Sequence, residues 1–290
     1  GPGTGKTKTL IAHLCDLIEN RKIKPSEITA VTFTNYAAAE MRERLKAKVT
    51  KKRQINNIQI GTFHAICMAF LKEQGIDFSL IDEAEALERA KEIICQSSLD
   101  IKPKKFLEQI SLKKSGVEIC WDCEMEEAAE LYQRSLQEKQ QMDFDDLLLE
   151  TLKIVEADSS THLRKPFSYL LTDEFQDINP LQYRLIKAWN KGGKELFVIG
   201  DPDQAIYGFR GADSKCFERL RQDFEEVRVI ELVENYRSTP EILNTALSFI
   251  SYHSEKERIL RANQDAGEKV RLVKAGSPMG EAIFTAKEIN

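Results

Sequence analysis

The chain has 290 residues, of which 42% are hydrophobic and 31% are charged, and its formal net charge at pH 7 is -5. This composition is typical of a globular protein with a buried core, and the length indicates about two domains. No apolar run approaches the roughly 20 residues that a membrane-spanning helix needs, so we expect a cytoplasmic protein that does not enter a membrane.

Charge is unevenly distributed along the chain. Residues 21–53 hold ten Lys or Arg and three Glu, whereas residues 122–158 hold twelve acidic and three basic residues. One face is therefore able to attract a polyanion although the whole molecule is acidic. Solvated helix faces would give the same pattern, and charge alone does not decide between these two explanations.

The six cysteines are scattered, and only Cys120 and Cys123 have the Cys-x-x-Cys spacing. A zinc site of this type needs a second such pair, which the sequence lacks. We therefore expect free thiols in a reducing compartment and no metal bound by cysteine.

The chain begins with Gly1-Pro2-Gly3-Thr4-Gly5-Lys6-Thr7, and a helical pattern follows. This stretch matches the phosphate-binding loop G-x-x-x-x-G-K-[ST], except that the first glycine would precede Gly1. Glycines let the backbone curl so that successive N–H groups point at phosphate, and the N-terminus of the following helix favours negative charge. Such a loop normally leaves a buried strand, which this sequence does not contain, so we expect the chain to be a fragment of a longer protein.

Two segments rich in β-branched residues follow, at residues 28–34 and 58–62, and each leads into a helical pattern. Both are predicted to be core strands. Because strands and helices alternate, we predict a parallel sheet with helices on both faces. Judged without context, Phe33 and His64 are more readily explained as core residues than as ligand contacts.

Strand signals disappear between residues 76 and 142, where helical patterns predominate, and this predicts a helical insertion between two strands of the sheet. Lysines give the insertion a candidate phosphate-contacting edge, although a solvated face is the better single explanation of them. They are Lys102, Lys104, Lys105, Lys113 and Lys114. The acids at positions 143, 145 and 146 are predicted to form the first turn of a helix and not a metal cluster, because acids there complement the helix dipole.

The segment Leu170-Leu171-Thr172-Asp173-Glu174-Phe175-Gln176-Asp177 ends an apolar strand at two adjacent carboxylates. The carboxyl ends of parallel strands form the rim where open α/β sheets bind ligands. A solvated loop or a helix cap would look the same, so this pattern is weak alone. Another predicted strand, residues 196–201, runs into a loop whose amide, aromatic rings and arginine suit phosphate sensing and base stacking.

The last part of the sequence again has α/β character. Residues 227–233 and 269–274 are predicted strands, and residues 281–289 are a predicted helix. Pro240 suits the first turn of a further helix. We place a domain boundary near residues 224–227, after which a second α/β lobe begins.

Six short motifs occur in a fixed order along residues 1–240. They are Gly3-Thr4-Gly5-Lys6-Thr7, Thr32-Phe33-Thr34-Asn35, Gly61-Thr62-Phe63-His64, Asp173-Glu174-Phe175-Gln176-Asp177, residues 200–204 with residues 207–212, and Asn235-Tyr236-Arg237-Ser238. This series resembles the UvrD, Rep and PcrA family of superfamily 1 DNA helicases.

The resemblance implies an α/β fold with a RecA-like P-loop NTPase parallel sheet, a helical insertion and the start of a second RecA-like lobe. The first lobe would comprise residues 1–75 and 143–226, the insertion residues 76–142, and the partial second lobe residues 227–290. A nucleotide site would lie between the lobes, with ATP and Mg²⁺ as cofactors.

The same resemblance assigns roles at that site. Lys6 would contact the terminal phosphates, and Glu174 would orient or deprotonate the attacking water. Gln204 would sense the γ phosphate, and Arg237 would reach it from the second lobe. Thr7 and Asp173 are the expected Mg²⁺ ligands. The nucleotide-binding residues would be Gly3, Thr4, Gly5, Lys6, Thr7, Lys8 and Tyr236, the last stacking on adenine.

Single-stranded DNA is the expected partner, together with junctions between single and double strands. Stacking suits sequence-independent stepping because every base has a π face. The implied contacts are Phe33, Asn35, Thr62, His64, Tyr207, Phe209 and Arg210.

We expect an ATP-dependent DNA helicase or translocase, moving 3′ to 5′, that acts in repair, replication or recombination. Two alternatives stay open at this point. The chain would instead be a DNA-binding fragment with little hydrolysis, or the translocase subunit of a helicase–nuclease complex.

Overall fold

A computed structural model describes residues 1–50, 52–158, 162–253 and 258–289. The chain divides into two compact units. The larger is Lys6–Val229, and the smaller combines Gly1–Gly5 with Ile230–Asn290. Each unit is described separately below.

Most α-helices of the described residues begin at a capping side chain or a proline, and the helices Lys6–Cys15 and Cys216–Asp223 are the exceptions. The helices are α1 (Lys6–Cys15), α2 (Asn35–Lys48), α3 (Phe63–Glu73), α4 (Glu83–Gln96), α5 (Pro103–Lys114), α6 (Cys123–Glu138), α7 (Phe144–Ala157), α8 (Pro180–Trp189), α9 (Cys216–Asp223), α10 (Pro240–His253) and α11 (Pro278–Ile289). The strands are β1 (Ile28–Thr32), β2 (Gln59–Thr62), β3 (Ser79–Leu80), β4 (Gln141–Met142), β5 (Tyr169–Thr172), β6 (Glu195–Val198), β7 (Glu234–Asn235) and β8 (Arg261–Ala262).

A four-stranded sheet organises the larger unit, in the order β2-β1-β5-β6. Every neighbouring pair is parallel, with Ala30 opposite Ile60 and Leu171, and Leu171 opposite Phe197. The predicted parallel sheet is therefore confirmed. All four carboxyl ends meet at one edge, which collects the segments that follow the strands.

Strand β1 is two residues shorter than predicted, because the chain turns into a helix at Thr34. The Thr34 hydroxyl oxygen accepts the Ala37 N–H at 3.1 Å and caps α2. Thr62 caps α3 in the same way, accepting the Ala65 N–H at 3.2 Å. Strand β6 likewise ends at Val198, before the predicted limit of residue 201, and a short 3₁₀ helix follows at Pro202–Gln204.

An aromatic stack fixes the helices against the sheet. The Trp189 ring, fully buried at the end of α8, lies 4.6 Å from the Phe167 ring with the planes nearly parallel. The Phe63 ring, at the start of α3, also stacks on Trp189, with the two ring centroids 5.9 Å apart. These side chains join α3 and α8 to the start of β5.

The region of residues 76–142 is mainly helical, as predicted, with α4, α5 and α6 packed around Phe106, Tyr132 and Leu136. One detail differs from the expected absence of strands. Residues Ser79 and Leu80 of β3 pair in parallel with Gln141 and Met142 of β4, near the two ends of this helical region.

The acids at the start of α7 form a helix cap, as predicted. Asp143 and Asp146 make a reciprocal capping box. The Lys114 ammonium, at the end of α5, donates to Asp143 Oδ2 at 2.6 Å and to Asp146 Oδ1 at 2.8 Å. The prediction that Lys114 belongs to a phosphate-contacting edge is therefore wrong. Its side chain is nearly buried, and its charge is paired with these two carboxylates.

Asp145 lies in the same turn, and its ionisation should oppose folding. Burial raises the pKa of Asp145 from 3.8 to about 6, and a hydrogen bond from Ser111 partly opposes the shift. Between these values the folded chain binds more protons than the unfolded chain, so this residue makes stability fall as pH rises from about 4 to 6.

Asp145→Asn should remove that penalty, because the amide cannot ionise and its oxygen still accepts from Ser111. We expect the variant to gain stability over the wild type between pH 4 and pH 6, reaching about 1 kcal/mol or more at pH 7. Urea unfolding at pH 4.5 and 7.5 measures the difference. Asp100→Asn, at an exposed aspartate outside α7, is the control. An equal gain at both pH values would contradict the assignment.

The smaller unit contains α10 and α11 and the parallel pair β7–β8, with Glu234 opposite Arg261. Helix α10 begins at Pro240 and α11 covers the predicted residues 281–289, so both predictions are confirmed. The strands predicted at residues 227–233 and 269–274 are wrong. Their β-branched side chains, such as Ile230 and Val270, are exposed, and β propensity is effective only where a neighbour supplies packing and ladder hydrogen bonds.

No helix in the described ranges has both the length and the apolar character that crossing a bilayer requires.

Candidate functional site

Two charged groups meet at the carboxyl edge of the sheet. The Lys6 ammonium, in the first turn of α1, lies 3.6 Å from Glu174 Oε2, and its side chain is only 11% exposed. Glu174 follows Asp173 directly after β5. The Asp173 N–H donates to Val31 O at 3.0 Å, which extends the sheet by one hydrogen bond and holds both acids at its rim.

Asp173 is buried, and this changes its acidity. The pKa of the carboxyl is raised to about 6, mainly by burial and next by the neighbouring Glu174 charge, while the Glu174 N–H and Lys6 act in the opposite direction. The Glu174 N–H donates to Asp173 Oδ1 at 2.9 Å. A desolvated carboxylate of this kind would be stabilised by a nearby cation.

The Glu174 backbone adopts a left-handed conformation, with φ 46° and ψ 46°. This is uncommon for a non-glycine residue and costs on the order of 1–2 kcal/mol. The following Phe175 is fully buried and donates its N–H to Ile199 O at 3.0 Å, so the turn is fixed from the next strand. The strained turn aims Glu174 away from the line of β5 while Asp173 stays on it.

Gln176 joins this turn to the loop after β6, a role that no sequence feature indicated. Its amide nitrogen donates to Glu174 Oε2 at 2.9 Å and to Asp177 Oδ2 at 3.2 Å. Its amide oxygen accepts the Asp201 N–H at 2.9 Å. The Asp201 carboxylate in turn accepts a hydrogen bond from the Gln204 amide. The structure thus connects the predicted residues Glu174 and Gln204 through two intermediates.

The glycine-rich segment has the backbone that such a loop needs. Gly3 and Gly5 have φ values of 70° and 81°, a region open to glycine and rare for other residues. A Cβ at Gly3 would lie 2.6 Å from Arg237 Cβ and 3.0 Å from Asn235 Nδ2, so no other residue fits there. Thr4 is buried, and its hydroxyl donates to Gly1 O at 2.7 Å.

Within the smaller unit, the glycine-rich segment and the segment after β7 are hydrogen-bonded. The Tyr236 N–H donates to Gly3 O at 2.9 Å, and the Asn235 amide donates to Pro2 O at 2.6 Å. Asn235 is buried, and its Oδ1 accepts the N–H groups of Arg237 and Ser238 at 3.0 and 2.8 Å.

This turn positions Tyr236 and Arg237, both of which have exposed side chains, beside Gly3. Sequence reasoning gave Asn235 no role of its own, although Asn is a frequent turn residue because its side chain accepts nearby backbone N–H groups. The two remaining predicted nucleotide contacts of the first helix, Thr7 and Lys8, are half-buried and exposed, respectively.

The predicted DNA contacts of the first two strands lie at the same sheet edge. Asn35 is exposed at the start of α2, whereas Phe33 is half-buried and packs against the core. Thr62 is half-buried with its hydroxyl engaged as a helix cap. Burial lowers the pKa of His64, which favours the neutral ring at pH 7.

Phe144 is a further aromatic that the sequence reading missed. Its ring centroid lies 5.7 Å from that of His64, edge to face, and its side chain is 56% exposed. An aromatic residue among three acids in the first turn of a helix was the available signal. His64 and Phe144 together present ring surface at the carboxyl edge of the sheet.

The loop after β6 carries a second aromatic pair. The Tyr207 and Phe209 rings lie 6.0 Å apart, and Phe209 is 72% exposed. Gly211 lets this loop lie close against Val117, because a Cβ at this position would lie only 2.8 Å from Val117 Cγ2. The Arg210 side chain lies outside the described part of the structure.

Two family models match the chain. The UvrD/REP helicase N-terminal domain matches residues 1–225, and the UvrD-like helicase C-terminal domain matches residues 230–290. Curated relatives include proteins named ATP-dependent DNA helicase PcrA from Staphylococcus epidermidis and from Staphylococcus aureus, each 34% identical. The alignments cover 100% of this chain and 42% of each relative, so the chain spans less than half the length of these relatives.

Proposed function

The chain belongs to the UvrD/REP helicase family, and from this premise we propose that it carries the ATP-hydrolysing and DNA-contacting parts of a DNA helicase. The observation that supports this most directly is the Lys6 ammonium 3.6 Å from Glu174, beside buried Asp173, at the carboxyl edge of a parallel sheet. Residues 1–75 and 143–226 are assigned to a first RecA-like lobe, residues 76–142 to the insertion and residues 227–290 to a second lobe.

Each residue of the proposed site has a separate role in phosphoryl transfer. Lys6 binds the terminal phosphates of ATP, and Glu174 orients the attacking water or takes its proton. Gln204, held by Asp201, senses the γ phosphate. In the smaller unit, Arg237 is assigned to the γ phosphate and Tyr236 to adenine, while Gly3, Thr4 and Gly5 supply backbone N–H groups.

Thr7 and Asp173 are the residues that would hold Mg²⁺. Hydroxyl and carboxylate oxygens are the ligands that this ion prefers, and it commonly takes one or two carboxylates together with substrate phosphates. The buried Asp173 carboxyl, whose pKa is raised mainly by burial and next by the neighbouring Glu174 charge, fits that use. The bound ion would neutralise charge that develops on the phosphate oxygens.

DNA contact is assigned to the aromatic and polar residues along the carboxyl edge. Base stacking on exposed rings does not depend on sequence, which suits a protein that moves along single strands. Phe209 and Phe144 offer exposed rings, Tyr207 and His64 offer half-buried ones, and Asn35 and Thr62 offer polar groups. Phe33 and Arg210 complete the proposed contacts. We also propose a cytoplasmic protein that acts at junctions of single- and double-stranded DNA.

The test of helicase activity uses two fluorescent duplexes that differ only in the end that carries a single-stranded tail. The full-length protein should separate the duplex with the 3′ tail in the presence of ATP and Mg²⁺, because we propose 3′ to 5′ movement. Preference for the 5′ tail would contradict the direction. Failure to separate either duplex, with ATP hydrolysis intact, would contradict the helicase assignment and leave a translocase.

Phe209→Ala should weaken single-stranded DNA binding, because it removes an exposed π surface worth about 1–3 kcal/mol per stacked base. Fluorescence anisotropy with a labelled oligothymidylate measures the affinity. Ile206→Ala is the matched control, since Ile206 is 69% exposed in the same loop but has no π face. Equal losses in both variants would show that the loop binds through apolar area and not through stacking.

A further inference from the structure

We propose that Gln176 is a positioning residue that transmits the position of the loop at residues 201–209 to the Glu174 carboxylate. This inference rests on the proposed ATP hydrolysis and deepens it, because it explains how DNA at the loop would regulate the hydrolytic site. Gln176 is 3% exposed and touches neither the phosphates nor the DNA in the assignments above. Its action is therefore through Glu174.

The hydrogen-bond donors around Gln176 fix which way its amide faces. The Asp201 N–H can only donate, so the atom 2.9 Å from it must be the amide oxygen. The amide nitrogen then faces Glu174 Oε2 at 2.9 Å and Asp177 Oδ2 at 3.2 Å, and both of these oxygens can only accept when ionised. Both N–H groups and the oxygen of the Gln176 amide are therefore hydrogen-bonded. Flipping this amide would place its oxygen against two carboxylates.

Little space is available for Gln176 to move independently of the loop. A Cβ at Gly200 would lie 2.5 Å from Gln176 Oε1 and 2.9 Å from Phe217 Cζ. Asp201 is fully buried, and its carboxylate accepts the Gln204 amide while its backbone N–H holds Gln176. Because close-packed interiors transmit displacement, a shift of this segment must move Gln176 or break its hydrogen bond.

The far end of this connection is a single oxygen of Glu174. Glu174 Oε2 receives both the Gln176 amide at 2.9 Å and the Lys6 ammonium at 3.6 Å. Within the described residues Oε1 has no hydrogen-bond partner, and the side chain is 38% exposed. Gln176 thus holds one oxygen of a partly exposed carboxylate, so movement of Gln176 changes the direction in which this carboxylate points.

The proposed DNA contacts Tyr207 and Phe209 lie three and five residues after Gln204 in the same loop. A strand that stacks on these rings would shift the loop, and Asp201 and Gln176 would carry that shift to Glu174. The expected consequence is that DNA raises the hydrolysis rate by improving alignment, a geometric effect that reaches about 10²-fold for displacements near 1 Å.

The test compares ATP hydrolysis by the full-length wild type, Gln176→Glu and Gln176→Met, with and without a saturating oligothymidylate. Gln176→Glu keeps an acceptor for the Asp201 N–H but removes the donor to Glu174, and Gln176→Met removes all three hydrogen bonds at similar length. We expect the DNA-stimulated kcat to fall by about 10²-fold in both variants. The KM for ATP should stay within about threefold, because phosphate binding is not altered.

Gln182→Glu is the matched control. Gln182 is also buried, in the capping box of α8, and it contacts Asn179 and not Glu174. It should keep the wild-type rate and stimulation. Thermal melting of each variant shows whether it is folded, and if Gln176→Glu does not fold, Gln176→Met decides the outcome because it adds no third carboxylate.

A stimulated kcat that stays near the wild-type value in the folded Gln176 variants would overturn the inference while leaving the proposed function intact. A parallel loss of kcat and ATP affinity would also overturn it, since it would indicate general disruption of the site. A wild type whose hydrolysis does not respond to the oligothymidylate would instead overturn the proposed function.

Discussion

Glu174→Gln in the full-length protein should lower the rate of ATP hydrolysis by about 10²- to 10⁴-fold, the usual contribution of a general base. The substitution keeps the size of the side chain and its ability to accept from Gln176, but the amide cannot take a proton. ATP affinity should change little, because Lys6 remains in place at the start of α1. Binding of a fluorescent ATP analogue and steady-state phosphate release measure the two quantities.

Glu195→Gln provides the control for loss of a paired glutamate. Glu195 lies at the opposite, amino end of β6, where it accepts from Arg21 Nη1 at 2.7 Å and pairs with His13. Its substitution should leave hydrolysis near the wild-type rate. A Glu174→Gln variant that turns over ATP at the wild-type rate would show that another group positions the water.

Trp189→Ala should lower the free energy of unfolding by about 3–5 kcal/mol, the usual cost of deleting a large aromatic from a core. Trp189 is fully buried and stacks on Phe167 at 4.6 Å, so its removal leaves a cavity between α3, α8 and the start of β5. Urea unfolding followed by circular dichroism measures the change.

Trp189→Phe is the matched control, and it should cost clearly less than Trp189→Ala, because the smaller ring fills part of the cavity. The smaller ring retains stacking and also removes the indole N–H, which has no hydrogen-bond partner among the described residues. A loss as large as that of Trp189→Ala would show that the indole itself, and not aromatic packing, stabilises this layer.

The sheet and the position of the site follow from local pattern. β-branched runs separated by helical segments predict parallel strands, and a parallel sheet brings all carboxyl ends to one edge. The pattern alone predicts Asp173 at that edge, whereas Asn35, Thr62 and Gln204 are expected at the site only from the family resemblance. The parallel register of β1, β2, β5 and β6 confirms the edge itself. The chemical roles of these residues stay predictions.

Gln176, Asn235 and Phe144 escaped prediction because their contacts come from residues that are distant in the sequence. Gln176 is hydrogen-bonded to Asp201, Asn235 is hydrogen-bonded to Pro2, and the Phe144 ring packs against His64. The strands predicted at residues 227–233 and 269–274 are wrong for a related reason, because these segments lack a distant strand to pair with among the described residues. Composition reports how well a residue suits a strand, but pairing depends on a partner that composition does not reveal.

Lys114 illustrates the same limit for charge. In the sequence it belongs to a series of lysines on the insertion, which suggested an edge for phosphate contact. In the structure its ammonium lies between Asp143 and Asp146, 29 and 32 positions further along the chain. A charge count along the sequence does not distinguish a solvated lysine from one that is paired inside the fold.

The most direct test of the central claim is the steady-state rate of ATP hydrolysis by the full-length protein during titration with single-stranded oligothymidylate. If Lys6, Asp173 and Glu174 form a hydrolytic site that DNA regulates, the rate should rise with DNA to a plateau in the wild type and stay near background in Glu174→Gln. A rate that is the same with and without DNA, or a Glu174→Gln variant that is stimulated like the wild type, would contradict the account.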